Sequence, residues 1–176
     1  MEIYLIRHTT PDIEKGICYG QTDVPLKDTY EAEAERVLEK FPTNVDIIYT
    51  SPISRCLRLA DYLSTQLAIP VEEDDRLKEL SFGEWELKRW DDIDKVMLQT
   101  WMDDYVNVRC PDGESYLDLA KRVSLFMEQL NLRDFKNVAV VTHHGVLKAL
   151  HAKLKQVSLI KAMDMHFPYG SITKIW

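Results

Sequence analysis

The chain has 176 residues, of which 45% are hydrophobic, a length and composition that suit one soluble globular domain with a real core. Its 22 Lys and Arg against 29 Asp and Glu leave a net charge of −7, which argues against a nucleic-acid binder and opposes an anionic ligand at long range. No apolar run approaches the roughly 18 residues a membrane helix needs, and Glu2 and Arg7 bracket a run too short for a signal-peptide core.

Residues 2–6 read as a strand that ends abruptly in Arg7-His8. Residues 7–28 read as a long loop broken by Pro11, Gly16, Gly20 and Pro25, and loops of that length in compact domains usually carry function. A helix is predicted over 29–41, with Ala34, Val37, Leu38 and Phe41 on one face and Pro42 just beyond its end. Residues 46–50 form a second strand-like run, which ends in Ser51-Pro52-Ile53-Ser54-Arg55. The helix that follows, about Ser54 to Leu67, carries an apolar stripe of Leu57, Ala60, Leu63, Ser64 and Leu67.

Pro70-Val71-Glu72 reads as a short strand. Residues 76–113 are mixed, with helical patterns near 91–98 and 100–105, and 84–113 reads as a lid-like insertion over the sheet. Its aromatic residues Trp85, Trp90, Trp101 and Tyr105 suit either a stacked aromatic ligand or a small core of the insertion itself; for Trp90 and Trp101 the core is favoured. Ser115 is a cap for a helix reaching Leu130, with Leu119, Val123, Phe126, Met127 and Leu130 turned inward. Strand 137–142 runs into His143-His144-Gly145 and a helix from about Gly145, and 171–176 alternates like a last strand. Strands alternating with helices mean an α/β fold with a mainly parallel sheet.

In such sheets ligands bind where the carboxyl ends of the strands emerge. Arg7, His8, Arg55 and His143 all follow strand-like runs, and Glu79 lies in a Gly- and aromatic-rich loop. Together they make a cationic pocket with one acid, which suits a phosphate. His143 and His144 are adjacent and lack a third ligand at useful spacing, so no metal is assigned and no cofactor is implied. Cys18, Cys56 and Cys110 are an odd set without metal-type spacing, most simply reduced thiols of a cytoplasmic protein. Cys56 reads as a packing residue rather than a reactive thiol.

The segments LIRHTTP at 5–11, YGQTDVPL at 19–26, TSPISRCLRLA at 50–60, RLKELSFGEWE at 76–86, GES at 113–115 and VVTHHGVLKAL at 140–150 resemble the histidine phosphatases. This family is also called the phosphoglycerate mutase-like superfamily. The motifs occur in the family's order and span nearly the whole chain, and CYGQTD beside RHTTP looks most like the α-ribazole phosphatase branch. The resemblance implies a single domain over 1–176, a three-layer α/β/α sandwich whose mostly parallel central sheet has one antiparallel edge strand. It also implies a phosphohistidine intermediate on His8. A neutral imidazole is the better nucleophile, and Arg7 and Arg55 nearby disfavour its protonated form.

Arg7 and Arg55 would clamp the phosphoryl oxygens with their planar forks. His143 would be a second donor to the phosphate as well as a catalytic residue. Glu79 would protonate the leaving alkoxide and then take a proton from the attacking water, with Glu84 and Glu86 as rival carboxylates. Gln21, Thr22 and His144 would contact the substrate, and Asp23 would cap local backbone. Arg58 reads as exposed, and Glu114 as either a residue that orients an arginine or a structural one.

The chain departs from the family pattern at Thr9, Thr10, Pro11 and Glu14, where many relatives read RHGET and a downstream Asn. It also departs at Leu87, and at His144, where many relatives have Gly. None of these removes a group needed for phosphoryl transfer, but each bears on the leaving group. The expected activity is therefore a metal-independent phosphomonoesterase acting on a small phosphorylated metabolite, α-ribazole 5′-phosphate first. Alternatives are a phosphoglycerate mutase, a broad sugar-phosphate phosphatase, and an inactive interaction module. Oligomeric state is left open.

Overall fold

The computed structural model describes residues 1–175. The strands are β1 (Glu2–Arg7), β2 (Ile47–Thr50), β3 (Val71–Glu73), β4 (Asn137–Thr142) and β5 (Ile172–Lys174). They form one sheet in the order β3-β2-β4-β1-β5. All neighbours are parallel except β5, which runs antiparallel to β1 at the edge.

Alternation along the strands decides the two faces. Tyr4, Ile6, Ile48, Ala139 and Val141 point to one side, where helices α1 (Tyr30–Glu39) and α2 (Ser54–Leu67) cover them with Ala34, Val37, Cys56, Leu59 and Leu63. Ile3, Leu5, Ile47, Tyr49, Val138 and Val140 point to the other. There α4 (Tyr116–Leu130) and α5 (His144–Lys155) supply Leu119, Val123, Phe126, Leu147 and Leu150. Each fully buried side chain of this kind contributes about 1.5–3 kcal/mol relative to exposure. The three-layer sandwich follows from covering a sheet that is apolar on both faces.

Local signals set several boundaries. Ser115 caps α4 in a reciprocal capping box with Asp118, which fixes where that helix starts. Between 90 and 105 there is one helix, α3 (Lys95–Asp103), rather than two helical stretches. The Asp94 side chain accepts from the backbone N–H groups of Val96 and Met97, so the helix begins only there. A single 3-10 turn, Trp90–Asp92, precedes it. Helix α6 (Leu159–Ala162), capped by Ser158, is too short for periodicity to reveal.

The buried face of α2 also differs from the predicted stripe. It consists of Arg55, Cys56, Leu59, Ala60 and Leu63, while Leu67 is exposed. Turning Arg55 inward rotates the helix by about one residue. The alternating end of the chain forms a strand of three residues, Ile172–Lys174, and Trp176 lies outside the described residues.

The aromatic residues of 84–113 gather chiefly into a core of their own. Cys18, Trp85, Ile93 and Cys110 are buried together, with Phe82, Trp90, Leu98 and Trp101 packed against them. Cys18 belongs to the long first loop and exchanges backbone hydrogen bonds with Leu87 and Lys88, so loop and insertion are stitched into one wall. Among the described residues no helix is long and apolar enough to cross a membrane.

Candidate active site

Strand register brings the two key histidines together. Arg7 pairs with Thr142 across β1 and β4, so His8 and His143 emerge side by side at the carboxyl ends of those strands. Their ring centroids lie 5.2 Å apart in an edge-on arrangement.

His8 is buried, and its Nδ1 lies 2.7 Å from the carbonyl oxygen of Thr9. A carbonyl only accepts, so Nδ1 carries the proton and Nε2 is left with its lone pair. Burial, and next the charge of Arg55, hold this imidazole well below the ordinary histidine range. The ring is therefore neutral and committed to one tautomer.

The two arginines are positioned differently. Arg55, at the start of α2, is fully buried. Its Nε donates to His143 Nδ1 at 3.2 Å, and its terminal nitrogens donate to the carbonyls of Thr22, at 3.0 Å, and Gly20. Gly20 is required there: a Cβ at that position would fall 2.0 Å from the Leu80 carbonyl oxygen. Arg7 donates to the Phe167 carbonyl at 2.7 Å, while its buried Nε has no partner among the described residues. A buried guanidinium N–H left open beside a neutral histidine is what a phosphoryl oxygen would satisfy.

Two tyrosines complete the clamp. Tyr169 stacks on Arg7, with 3.8 Å from the guanidinium carbon to the ring centre. Tyr19 faces Arg55 at 5.4 Å, and the two phenol oxygens are 3.0 Å apart. Each arginine thus has an aromatic neighbour, and the phenols are joined.

His143 departs from the sequence expectation of a direct phosphate donor. It is fully buried, and both ring nitrogens are taken by protein groups. Nδ1 accepts from Arg55, so Nε2 carries the proton and donates to Ser51 Oγ at 2.8 Å. In this arrangement it fixes Arg55. Cys56 lies against the same ring, with Sγ 3.4 Å from Nε2, and burial pushes its thiol far up, as befits a packing residue.

Glu79 lies in the cavity wall. Its two carboxylate oxygens accept from the backbone N–H of Leu80 at 2.9 Å and of Gly145 at 3.0 Å, at the positive amino end of α5. The main chain around it is held by Arg122, which donates to the carbonyls of Arg76, Lys78 and Glu79 and pairs with Glu114 at 2.8 Å. Glu114 therefore does orient an arginine, one that supports the Glu79 segment.

Gln21 and Thr22 come close to this cluster but build its wall rather than line the cavity. Gln21 Nε2 donates to the Glu79 carbonyl at 3.0 Å. Thr22 donates to Glu86 through both backbone and hydroxyl, and Glu86 also accepts from the N–H groups of Gln21 and Phe82. Burial raises the Glu86 carboxyl, but these bonds outweigh it and the net shift is downward, which suits a permanent anion. This rival carboxylate is a loop anchor.

Asp23 accepts from the Ser54 hydroxyl at 2.6 Å instead of capping local backbone, because the start of α2 comes within reach. Arg58 is exposed and packs on Tyr30. His144 does line the cavity; burial, then Arg7 and Lys148, lower its pKa to about 4.

The cavity itself has a volume of about 260 Å³. Its lining includes the charged or titratable Arg7, His8, Arg55, Glu79 and Lys148 and the apolar and aromatic Phe82, Trp101, Tyr105, Tyr116 and Met163. Sequence reasoning missed Tyr19, Tyr169 and Lys148. Lys148 carries a usable signal, since it stands four residues beyond His144 on the same helical face. Nothing local marks Tyr169. Among the described residues no group of three or more His, Cys, Asp or Glu side chains gathers as a metal-ligand set.

Comparison with known proteins bears on the family and the fold. The family model described as "Histidine phosphatase superfamily (branch 1)" matches residues 3–176. A putative phosphoserine phosphatase 2 of Hydrogenobacter thermophilus is 34% identical over 178 residues, covering 98% of this chain and 88% of the relative. The adenosylcobalamin/alpha-ribazole phosphatase of Escherichia coli is 27% identical over 161 residues, covering 88% of this chain and 79% of that protein.

Among solved structures, a putative alpha-ribazole-5′-P phosphatase from Escherichia coli superposes with a TM-score of 0.90 at 23% identity. It covers 99% of this chain and 89% of the other, and supports the fold. With the motifs, the sheet and the family match in agreement, the chain belongs to the histidine phosphatase superfamily, branch 1.

Proposed function

We propose that this protein is a metal-independent phosphomonoesterase that works through a phosphohistidine on His8. The observation that carries this reading is the 2.7 Å contact between His8 Nδ1 and the Thr9 carbonyl, which leaves Nε2 free beside two guanidinium groups. In the first step Nε2 attacks phosphorus, a P–N bond forms and the P–O bond to the leaving alcohol breaks. Glu79, protonated, gives its proton to the departing oxygen. In the second step water attacks phosphorus, Glu79 takes the water proton, and the P–N bond breaks to release phosphate. Two easier transfers replace one hard one.

Arg7 and Arg55 stabilise the charge that spreads over the equatorial oxygens. His143 contributes by holding the Arg55 fork in place.

The finer reading is hydrolysis of α-ribazole 5′-phosphate. The aromatic wall of Phe82, Trp101, Tyr105 and Tyr116 supports it, as does the alpha-ribazole phosphatase among the relatives. A second reading, a phosphate ester of a small acid, is supported by the putative phosphoserine phosphatase among the relatives and, as to size, by the cavity. Its volume of about 260 Å³ lies below the roughly 300–1,000 Å³ typical of pockets for drug-sized ligands.

The test is phosphate release in EDTA from α-ribazole 5′-phosphate, O-phosphoserine, 3-phosphoglycerate and a sugar phosphate, with His8→Ala as control. Activity that His8→Ala abolishes and EDTA leaves intact supports the mechanism. A kcat/KM preference of about 100-fold, worth about 2.7 kcal/mol, identifies the leaving group. Activity that survives His8→Ala, or that EDTA removes, refutes the reading.

A further inference from the structure

Lys148 has no assigned role, yet its setting is unusual for a lysine. It lies on α5 one turn beyond Gly145, whose N–H holds Glu79, and it lines the same cavity. The residue is only 8% exposed. Among the described residues its ammonium makes one hydrogen bond, to the Met163 carbonyl at 2.7 Å. Among the described residues no carboxylate lies within ion-pair distance of it.

Lysines are almost never buried so completely without a charged partner, because an unpaired ammonium loses its hydration for no return. An ammonium has three donors, and here one is used. The charged groups near it are Glu79, Arg7 and Asp164, and Glu79 is engaged by two backbone N–H groups.

The phosphate already has Arg7 and Arg55 at its own end of the cavity. Glu79, which serves the departing oxygen, marks the leaving-group side. Lys148 is reached from Gly145, on which Glu79 rests, by three residues of helix, about 4.5 Å of rise. A group attached to the leaving alcohol on the Glu79 side of the cavity therefore comes within reach of Lys148. The space available there is small, and among the described residues Lys148 brings to it an ammonium without a carboxylate in ion-pair distance.

We propose that Lys148 determines specificity by pairing with a carboxylate on the leaving alcohol. The preferred substrates are then phosphate esters of small hydroxy acids, β-hydroxy amino acids included. This inference rests on the phosphomonoesterase reading and takes the second of its two leaving groups. Lys148 does not act on the reacting atoms; it selects the alcohol.

The experiment compares substrates that differ only in the carboxylate. One pair is O-phosphoserine and O-phosphoethanolamine, the other 3-phosphoglycerate and glycerol 3-phosphate. Each kcat/KM ratio is measured for the unaltered protein, Lys148→Met and Lys148→Arg. Hydrogen bonds between charged groups predict a ratio of roughly 10- to 100-fold in favour of the acid in the unaltered protein. The ratio falls close to one in Lys148→Met and returns in part in Lys148→Arg.

Because each ratio is taken within one protein sample, a general loss of folded enzyme cancels. A ratio near one in the unaltered protein overturns the proposal. So does a Lys148→Met variant that slows both members of a pair equally, which would place Lys148 on the phosphoryl group. If no phosphomonoester at all is hydrolysed, p-nitrophenyl phosphate included, the underlying reading fails and this inference falls with it.

Discussion

His8 is held by two constraints that act on one ring. The Thr9 carbonyl fixes the proton on Nδ1, and burial with Arg55 keeps the second proton off. The same lowering has a thermodynamic consequence. In the unfolded chain His8 titrates near its ordinary value of 6.5, whereas the folded chain takes up the proton only at much lower pH. Between those values the unfolded state binds more protons, so stability rises with pH there.

His143, lowered by burial and by His8, adds to the effect in the same direction. His144, lowered to about 4, does too. Denaturant midpoints measured from pH 8 to pH 5 should therefore hold steady above about 7 and fall progressively below about 6.5. A midpoint that rises as pH falls from 7 to 5 would contradict this account of the buried histidines.

Much of this cluster was readable from the chain, because Arg7-His8, Arg55 and His143 each close or follow an apolar run and occur in a motif. The bonding of His143 was not. Which groups take its ring nitrogens depends on where Arg55 and Ser51 come to rest, and those residues are 88 and 92 positions away.

At the scale of elements, α5 does more than terminate a βα unit. Its first turn seats the Glu79 carboxylate, and Gly145 makes the close approach possible. A Cβ there would lie 2.4 Å from Glu79 Oε1, so the side chain would have to move away from the cavity wall. The obstructing atom is the far end of a flexible side chain, so Gly145→Ala should fold normally.

The expected result is a fall in kcat of about 10- to 100-fold for esters of aliphatic alcohols, part of the 10²–10⁴ that acid–base help supplies. For p-nitrophenyl phosphate, whose phenolate leaves without a proton, the fall should be several-fold smaller. Equal losses on both substrate types would show that Glu79 is not the proton donor.

Element boundaries were legible where a cap fixes them, as at Ser115. They were misjudged where one side chain overrides the pattern. Asp94 delays α3, and the buried guanidinium of Arg55 turns α2 on its axis. The aromatic cluster of 84–113 could be anticipated as a small core. Its seam with the first loop through Cys18 could not, since no periodicity links residues so far apart.

The whole molecule converts sheet register into chemistry. Parallel pairing of β1 with β4 sets His8 beside His143, pairing of β4 with β2 brings Ser51 beneath them, and the loop after β3 delivers Glu79. The α/β class was visible in alternating strand and helix patterns. Strand order was not, because hydrophobic period says which face is buried but not which strand is next. A chain of net charge −7 gathers Arg7, Arg55 and Lys148 around one cavity, so the attraction for an anion on which the proposed function depends is local.

The central claim is covalent chemistry at His8. The most direct measurement is rapid quenching of the enzyme during turnover of a phosphomonoester in EDTA, followed by mapping of the phosphorylated residue by mass spectrometry. The account predicts a phosphoryl group on His8 that is labile to acid and stable to base, absent from His8→Ala. A turnover-competent enzyme that shows no phosphoenzyme under single-turnover sampling, or one phosphorylated at another residue, would contradict it.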